Sequence, residues 1–452
     1  VGARALVEEV LVEDASNVDA LKLRAGWLIE DDKPGDAIVD LRAALGQSPR
    51  DATILTLIAS AHERDGSLDL AGEQLARAVE VSGGAASESV RYAQFLIQNR
   101  QSAVAETVLV NARRVSPNNP TILGVLAQYY ISLSRWPEAQ DAVTALTALD
   151  LPDDQTKVAQ LQAAIFAGQN RFDDSVALLQ DQVAKGSQSD AAVVMIVQTQ
   201  VKAGKLAEAR AYLDGALQTA ADNVTLQLLG AGLDEQMGKP EAAIATYRAL
   251  IQRDPANDVP VRLLYAMLNA KGDTEAAAQT LDAGLAAAPA STNLRWVKAV
   301  ALEGAGQIDA AIEIYDNLYA ENSSNTVIAN NLASLITTYH DDPANLDRAE
   351  AIARRLRGLE VPAFQDTYGW IAFRRGNLND ALAHLEPAAK GLPKDPLAQF
   401  HLGMLYDKMG RKDEAIRQLE LALTLASATP NGSGLPQMAT ARQVLDRLKA
   451  AL

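Results

Sequence analysis

Small residues recur along this chain on a comb of 34 residues. Ala37, Ala71, Ala105 and Ala139 open it, Ala209, Ala243, Ala277 and Ala311 continue it, and Ala381 and Ala415 complete it. The step slips twice: two extra residues put Ser175 where the fifth alanine belongs, and a longer insertion puts Ala349 at the tenth. A fixed period of this length marks a repeat architecture, in which each unit buries its apolar face against its neighbours alone. A chain of 452 residues built this way needs no single large core.

Other columns say what each unit is. Ala25, Ala59, Ala93, Ala127, Ala163, Ala231, Ala299, Ala333, Gly369 and Gly403 occupy a second small-residue column, broken by Val197 and Tyr265. Between the two small columns lie Gly66, Gly204, Gly238, Gly272, Gly306, Gly376 and Gly410, and Pro49, Pro117, Pro255, Pro289 and Pro393 close their units. Small residues stand where two helices cross closely, a left-handed glycine ends the first helix, and proline stops the second. The unit is a helical hairpin.

These columns resemble the tetratricopeptide repeat, a 34-residue pair of antiparallel helices with small residues at its eighth and twentieth positions and a proline near the thirty-second. Tyr368-Gly369-Trp370 through Pro393 and His401-Leu402-Gly403 through Ala422 match best. The resemblance implies an all-α fold: a right-handed superhelical solenoid of about twelve hairpins plus a C-terminal capping helix. Residues 1–16 read as the second helix of a truncated repeat, because Ala3, Val7 and Val10 sit one period before Ala37, Leu41 and Ala44. The array is expected over 17–427, with units starting near 18, 52, 86, 120, 156, 190, 224, 258, 292, 326, 362 and 396. A Pro-Asn-Gly-Ser-Gly linker (Pro430 to Gly434) falls within 428–436, and residues 437–452 form a helix with Ala441, Val444, Leu445 and Leu448 on one face. Asp51 and Ser87 are expected to cap helices. Thr337 through Leu346, containing His340-Asp341-Asp342-Pro343, is expected to protrude between the helices of the tenth unit.

Composition narrows the functions available. The net charge is −16, with 57 acidic against 41 basic residues, and no long basic run interrupts it. Such a chain is poorly suited to nucleic acid or anionic lipid. The absence of cysteine removes disulfides, thiolate metal sites and cysteine nucleophiles. No apolar run reaches the roughly 18 residues of a membrane span, and a chain that opens in mid-repeat carries no weight about a targeting segment upstream.

No catalytic constellation is legible. His62, His340, His384 and His401 lie in different units, never at the i, i+4 spacing of a helical metal pair, and no Walker-type phosphate loop or nucleophile elbow occurs. No enzyme activity, cofactor or metal is therefore expected. Binding of a protein or extended peptide is. In the family this chain resembles, the second, fifth, ninth and twelfth positions of the first helices face a concave groove. Those positions here include Gln94, Gln128, Gln198 and Asn330, whose amides suit an extended backbone. Towards the C-terminus they include the aromatic and apolar anchors Trp296, Trp370, Phe373, Phe400 and Met404. A phase error of one residue would instead bury Trp296 or Phe400 between repeats. Arg354, Arg355, Arg357, Arg374 and Arg375 form a basic cluster, either a receptor for an acidic partner segment or a solvated face.

Asn330-Asn331-Leu332-Ala333 and Tyr368 through Gly376 look like long bacterial tetratricopeptide scaffolds and lipoproteins of the cell envelope. That implies an adaptor in a periplasmic or envelope complex, with a cytoplasmic location as the alternative. The second functional class is an accessory subunit of a polysaccharide-synthesis, export or protein-sorting complex whose catalysis lies in another chain. The exposed half-repeat at the start also raises end-to-end self-association of this fragment.

Overall fold

Short polar side chains start many of the hairpins. Asn17, Asp51, Asn119, Asn223, Asn257, Asn325 and Asp395 each accept a hydrogen bond from a backbone N–H in the first turn that follows. Ser87 does not cap: its helix begins at Ala86, and its hydroxyl donates to Glu88 Oε2 at 2.6 Å. The computed structural model describes residues 2–152, 155–184, 190–340, 342–428 and 435–450, and all regular structure among them is helical.

After α1 (Gly2–Glu13), the helices pair as α2 (Val18–Glu30) with α3 (Pro34–Gln47), α4 (Ala52–Arg64) with α5 (Leu68–Val81), and α6 (Ala86–Gln98) with α7 (Ser102–Val115). Next come α8 (Pro120–Ser132) with α9 (Trp136–Thr147), α10 (Gln155–Gly168) with α11 (Phe172–Ala184), and α12 (Asp190–Lys202) with α13 (Leu206–Thr219). The pairs α14 (Val224–Gln236) with α15 (Pro240–Arg253) and α16 (Asp258–Ala270) with α17 (Thr274–Ala287) follow, then α18 (Thr292–Gly304) and α19 (Ile308–Glu321). The last hairpins join α20 (Thr326–Tyr339) to α21 (Pro343–Ala353), α22 (Pro362–Arg374) to α23 (Leu378–Gly391), and α24 (Pro396–Lys408) to α25 (Lys412–Ala428). The final helix, α26 (Pro436–Ala450), packs on α24 and α25 and buries Met438, Ala441, Leu445 and Leu448 as the C-terminal cap. The linker from Pro430 to Gly434 lies outside the described residues.

Two compact units result, one spanning Gly83–Lys298 and the other composed of Val1–Ser82 together with Ala299–Leu452. In each, the small-residue comb is the line along which the hairpin closes. Ala37, Ala71, Ala105, Ala139, Ala209, Ala243, Ala277, Ala311, Ala349, Ala381 and Ala415 are all 0% exposed. So is Ser175, whose hydroxyl donates to the carbonyl of Ala163 in the facing column at 2.9 Å. The polar exception is thereby satisfied inside the crossing.

The tenth hairpin corrects one expectation. Thr337 is fully buried within α20, Leu346 is buried within α21, and the connector is short, so no protrusion forms. Asp341 lies outside the described residues. The extra residues instead lengthen the start of α21: Ala349 is its seventh residue, whereas Ala311 is the fourth of α19. Asp342 caps this added turn through Ala344 N and Asn345 N, both at 3.1 Å. The helix then tightens into a 3-10 turn, Arg354–Leu356.

All seven glycines of the turn column adopt φ between 69° and 82°. Where the column lacks glycine, Asp32, Arg100, Ser134 and Asn170 take the same left-handed conformation, at φ 61°, 58°, 58° and 62°. A side chain there costs about 1 kcal/mol or more relative to glycine. Arg100→Gly in the α6–α7 hairpin and Ser134→Gly in the α8–α9 hairpin are therefore each expected to stabilise the chain by about 0.5–1 kcal/mol. Urea denaturation followed by circular dichroism reads this, and an unchanged or lowered midpoint would contradict the strain.

Candidate partner-binding surfaces

In the unit from Gly83 to Lys298, Gln94 on α6, Gln128 on α8 and Gln198 on α12 are all exposed, at the same position of their first helices. First helices of neighbouring repeats touch, α6 with α8 and α8 with α10. Gln94 and Gln128 thus stand on adjoining helices of one layer, while Gln198 stands two repeats beyond Gln128, past Ala164 on α10. Trp296 on α18 belongs to the same set of helices and is 36% exposed. An apolar cleft of about 400 Å³ opens elsewhere in this unit, at the irregular step between α9 and α10, and is lined by Leu146, Leu151, Val158 and Leu178.

In the other unit the structure gathers Trp370, Phe373, Phe400 and Met404 into one cluster with different roles. Trp370 and Phe400 are only 8% and 3% exposed and pack in the interior shared by α22 to α26. The surface position expected of these two is corrected. Position nine of α22 meets the next repeat rather than solvent. Phe373 and Met404 are half-buried at the edge of the same cluster. Trp370 stacks between Phe373 at 4.8 Å and His401 at 4.1 Å. His401 Nδ1 in turn lies 2.9 Å from Asp366 Oδ2. The sequence reading weighed His401 only as a metal ligand and passed over Asp366. Their only signal was that they stand at adjoining positions in successive repeats.

Asn330 is half-buried on α20. Its amide reaches Asn331 Oδ1 at 3.3 Å, and Asn331 donates to the Tyr315 hydroxyl at 3.1 Å. The Asn330 carbonyl oxygen is buried with no hydrogen-bond partner among the described residues.

The five arginines are engaged within the chain. Arg375 pairs with Glu350 at 2.8 Å and with Asp347, and this pairing raises its pKa, the hydrogen bond to Asp347 contributing most. Arg374 Nη1 donates to the Thr337 carbonyl at 2.9 Å. Arg354 reaches Asp65 at 3.4 Å, and Arg357 Nη2 donates to Ser67 Oγ at 3.1 Å. Arg355 is 4% exposed; it lies 2.5 Å from Asp32 and donates to the Tyr319 hydroxyl and the Ser323 carbonyl. Burial lowers its pKa, opposed by Tyr319 and Asp32. Burial likewise pushes the Tyr319 hydroxyl well above its usual range, so it stays protonated and donates to Asp32 Oδ2 at 2.8 Å. Arg64, missed from sequence, is also buried and meets Asp32 at 3.1 Å. Among the described residues, no group of three or more His, Asp or Glu side chains is arranged to hold a metal, and no helix is long and apolar enough to cross a membrane.

Tetratricopeptide repeat models match residues 28–87, 194–258 and 268–326, and a second tetratricopeptide repeat model matches 372–431. Together the matches cover more than half of the chain. No curated protein matches it. Among solved structures, a tetratricopeptide repeat protein from Parabacteroides merdae is similar at 14% identity and a TM-score of 0.41, covering 56% of this chain and 98% of that one. Yeast Tom70 is similar at 15% identity and a TM-score of 0.36, with 96% of each chain covered. The APC/C hetero-tetramer Cut9–Hcn1 gives 14% identity and a TM-score of 0.37, covering 97% of this chain and 98% of that one. With its hairpins, its buried small-residue columns and the repeat models that match more than half of its length, the chain belongs to the tetratricopeptide repeat family.

Proposed function

We propose that this chain is a protein-interaction scaffold that holds an extended partner segment along the exposed first-helix faces of residues 83–298. Tetratricopeptide repeat proteins generally act as protein-interaction scaffolds. The observation that carries the reading is that Gln94, Gln128 and Gln198 are exposed at one shared position of their first helices. Packed helices lie about 8–10 Å apart, a distance an extended chain covers in about three residues. A peptide lying across the layer would thus meet amides on α6 and α8 about three residues apart, and a third on α12 beyond Ala164 of α10. An amide both donates and accepts, so it pairs with backbone without selecting side chains.

The phrases around Asn330 and Tyr368 support a bacterial cell-envelope setting, where the scaffold would assemble a multi-protein complex. As an accessory subunit of a polysaccharide-synthesis, export or sorting complex, it would copurify stoichiometrically with one enzyme. As a general adaptor, it would retain several partners.

The test is affinity purification of the full-length protein from its native cells, with partners quantified by mass spectrometry. At about 0.5–1.5 kcal/mol for each hydrogen bond, the Gln94→Ala, Gln128→Ala, Gln198→Ala triple variant should bind its partner roughly tenfold or more weakly. Its stability should stay within about 0.5 kcal/mol of the original for each surface change. Undiminished partner recovery would sink the amide-row reading.

Trp370→Ala and Phe400→Ala should behave oppositely. Truncating a buried aromatic costs about 3–5 kcal/mol. Each variant should lower the urea midpoint of the C-terminal repeats before any specific loss of binding is seen. A stable variant that lost its partner would make these residues binding anchors after all.

A further inference from the structure

We propose that the charge cluster around Arg355 is a reversible clasp, by which the chain's N-terminal repeats dock onto its ninth and tenth repeats within one compact unit. That unit is built from two segments far apart in sequence, Val1–Ser82 and Ala299–Leu452. Each segment has its own apolar core. One core gathers Val7 through Ala61, a second Ala299 through Ile371, and a third Trp370 through Leu448; none of them mixes the two segments.

The described contacts that join the segments are mainly polar. Asp32 receives Tyr319 and Arg355 from the far segment and Arg64 from its own. Arg64 reaches across to Ser324 Oγ at 3.1 Å and to Ser323 Oγ, and Ser323 donates to the Glu30 carbonyl at 2.8 Å. Asp65 and Ser67 meet Arg354 and Arg357 at the rim.

The seam is specific in shape as well as charge. Gly66 is at φ +69°, and a Cβ there would stand 2.3 Å from the Arg354 carbonyl oxygen. A Cβ on Gly358 would lie 2.6 Å from Leu68 side-chain atoms and 3.0 Å from the Gly66 carbonyl. Asp32 occupies the column that glycine fills in most other repeats and accepts a left-handed φ of 61°. The strained position is kept by a residue whose carboxylate makes the central contacts.

These features fit docking that can be undone. Burying an ion pair costs desolvation that its attraction roughly repays, so contacts of this kind hold the seam with a small net free energy. A cleft of about 390 Å³ along Gly66, Ser67, Leu68, Arg357 and Gly358 leaves the edge incompletely packed. In the closed form Asp32 and Asp65 stand where an acidic partner segment would otherwise meet Arg354, Arg355 and Arg357.

The chain has no cysteine, so Val39→Cys with Lys390→Cys gives two unique dye sites, one exposed position on each segment and outside the seam. Single-molecule energy transfer on this full chain is expected to show a high-transfer and a low-transfer population. The low-transfer share should grow between about 0.05 and 1 M NaCl, where the screening length shrinks to about 3 Å. Asp32→Asn with Asp65→Asn should raise the open-to-closed ratio roughly tenfold or more, because each leaves arginines without their counter-charge. Asparagine tolerates the left-handed turn, and circular dichroism should show unchanged helix content. Gly358→Val should open the clasp by bulk alone. A single transfer population unmoved by salt and by all these substitutions would overturn the proposal. So would opening by Gly358→Val with no response to salt or charge removal.

Discussion

Everything in this molecule depends on two helices crossing at nearly zero clearance, repeated along the chain. The comb position has no exposed surface in any hairpin, and a methyl group is the largest side chain most of them admit. Ser175 shows how strict the requirement is. Its hydroxyl fits only because a carbonyl of the facing helix accepts it, since an unpaired buried hydroxyl would cost about 1–3 kcal/mol. Gly369 and Gly403 show the other limit, where Leu385 and Leu419 fill the space a Cβ would take, at 2.8 Å. Here the close approach needs glycine.

Because the constraint is local, it was legible from the sequence. A residue buried against its own hairpin repeats at the period of the hairpin, and the left-handed turn column does the same. What resisted was phase and distance. Trp370 and Phe400 occupy positions that in other repeats hold Gln128 or Gly124, and only the neighbouring repeat's side chains decide whether such a position is wall or surface. The insertion in the tenth unit was seen but misplaced. Pro343 at the first helical position and the Asp342 cap start a helix here more readily than a loop. The arginines stand out as a cluster, but Asp65 and Asp32, the partners of Arg354 and Arg355, lie in the second and first repeats, and no period links them.

This division between near and far contacts has an energetic side. Contacts between neighbouring repeats are apolar, continuous and shared by several helices, so they contribute stability in proportion to buried area. Contacts between the two segments of the split unit are charged, few and dependent on individual residues. Apolar burial tolerates small shifts, whereas a hydrogen bond weakens steeply with distance and angle. The array is therefore stiff where it is periodic and conditional where it is not.

The same division separates the two sets of residues expected to bind a partner. The amides of α6, α8 and α12 contribute nothing visible to the packing beneath them, so they are available and their loss should leave the scaffold intact. The arginines of the tenth and eleventh repeats are already satisfied by the chain's own carboxylates and carbonyls. A partner could use them only by displacing those groups, and its affinity would be reduced by the free energy of breaking them. In the proposed roles, backbone-reading amides would offer constant grip, and a closed clasp would make access to the basic surface depend on the state of the fold. That difference is where selectivity between partners would reside.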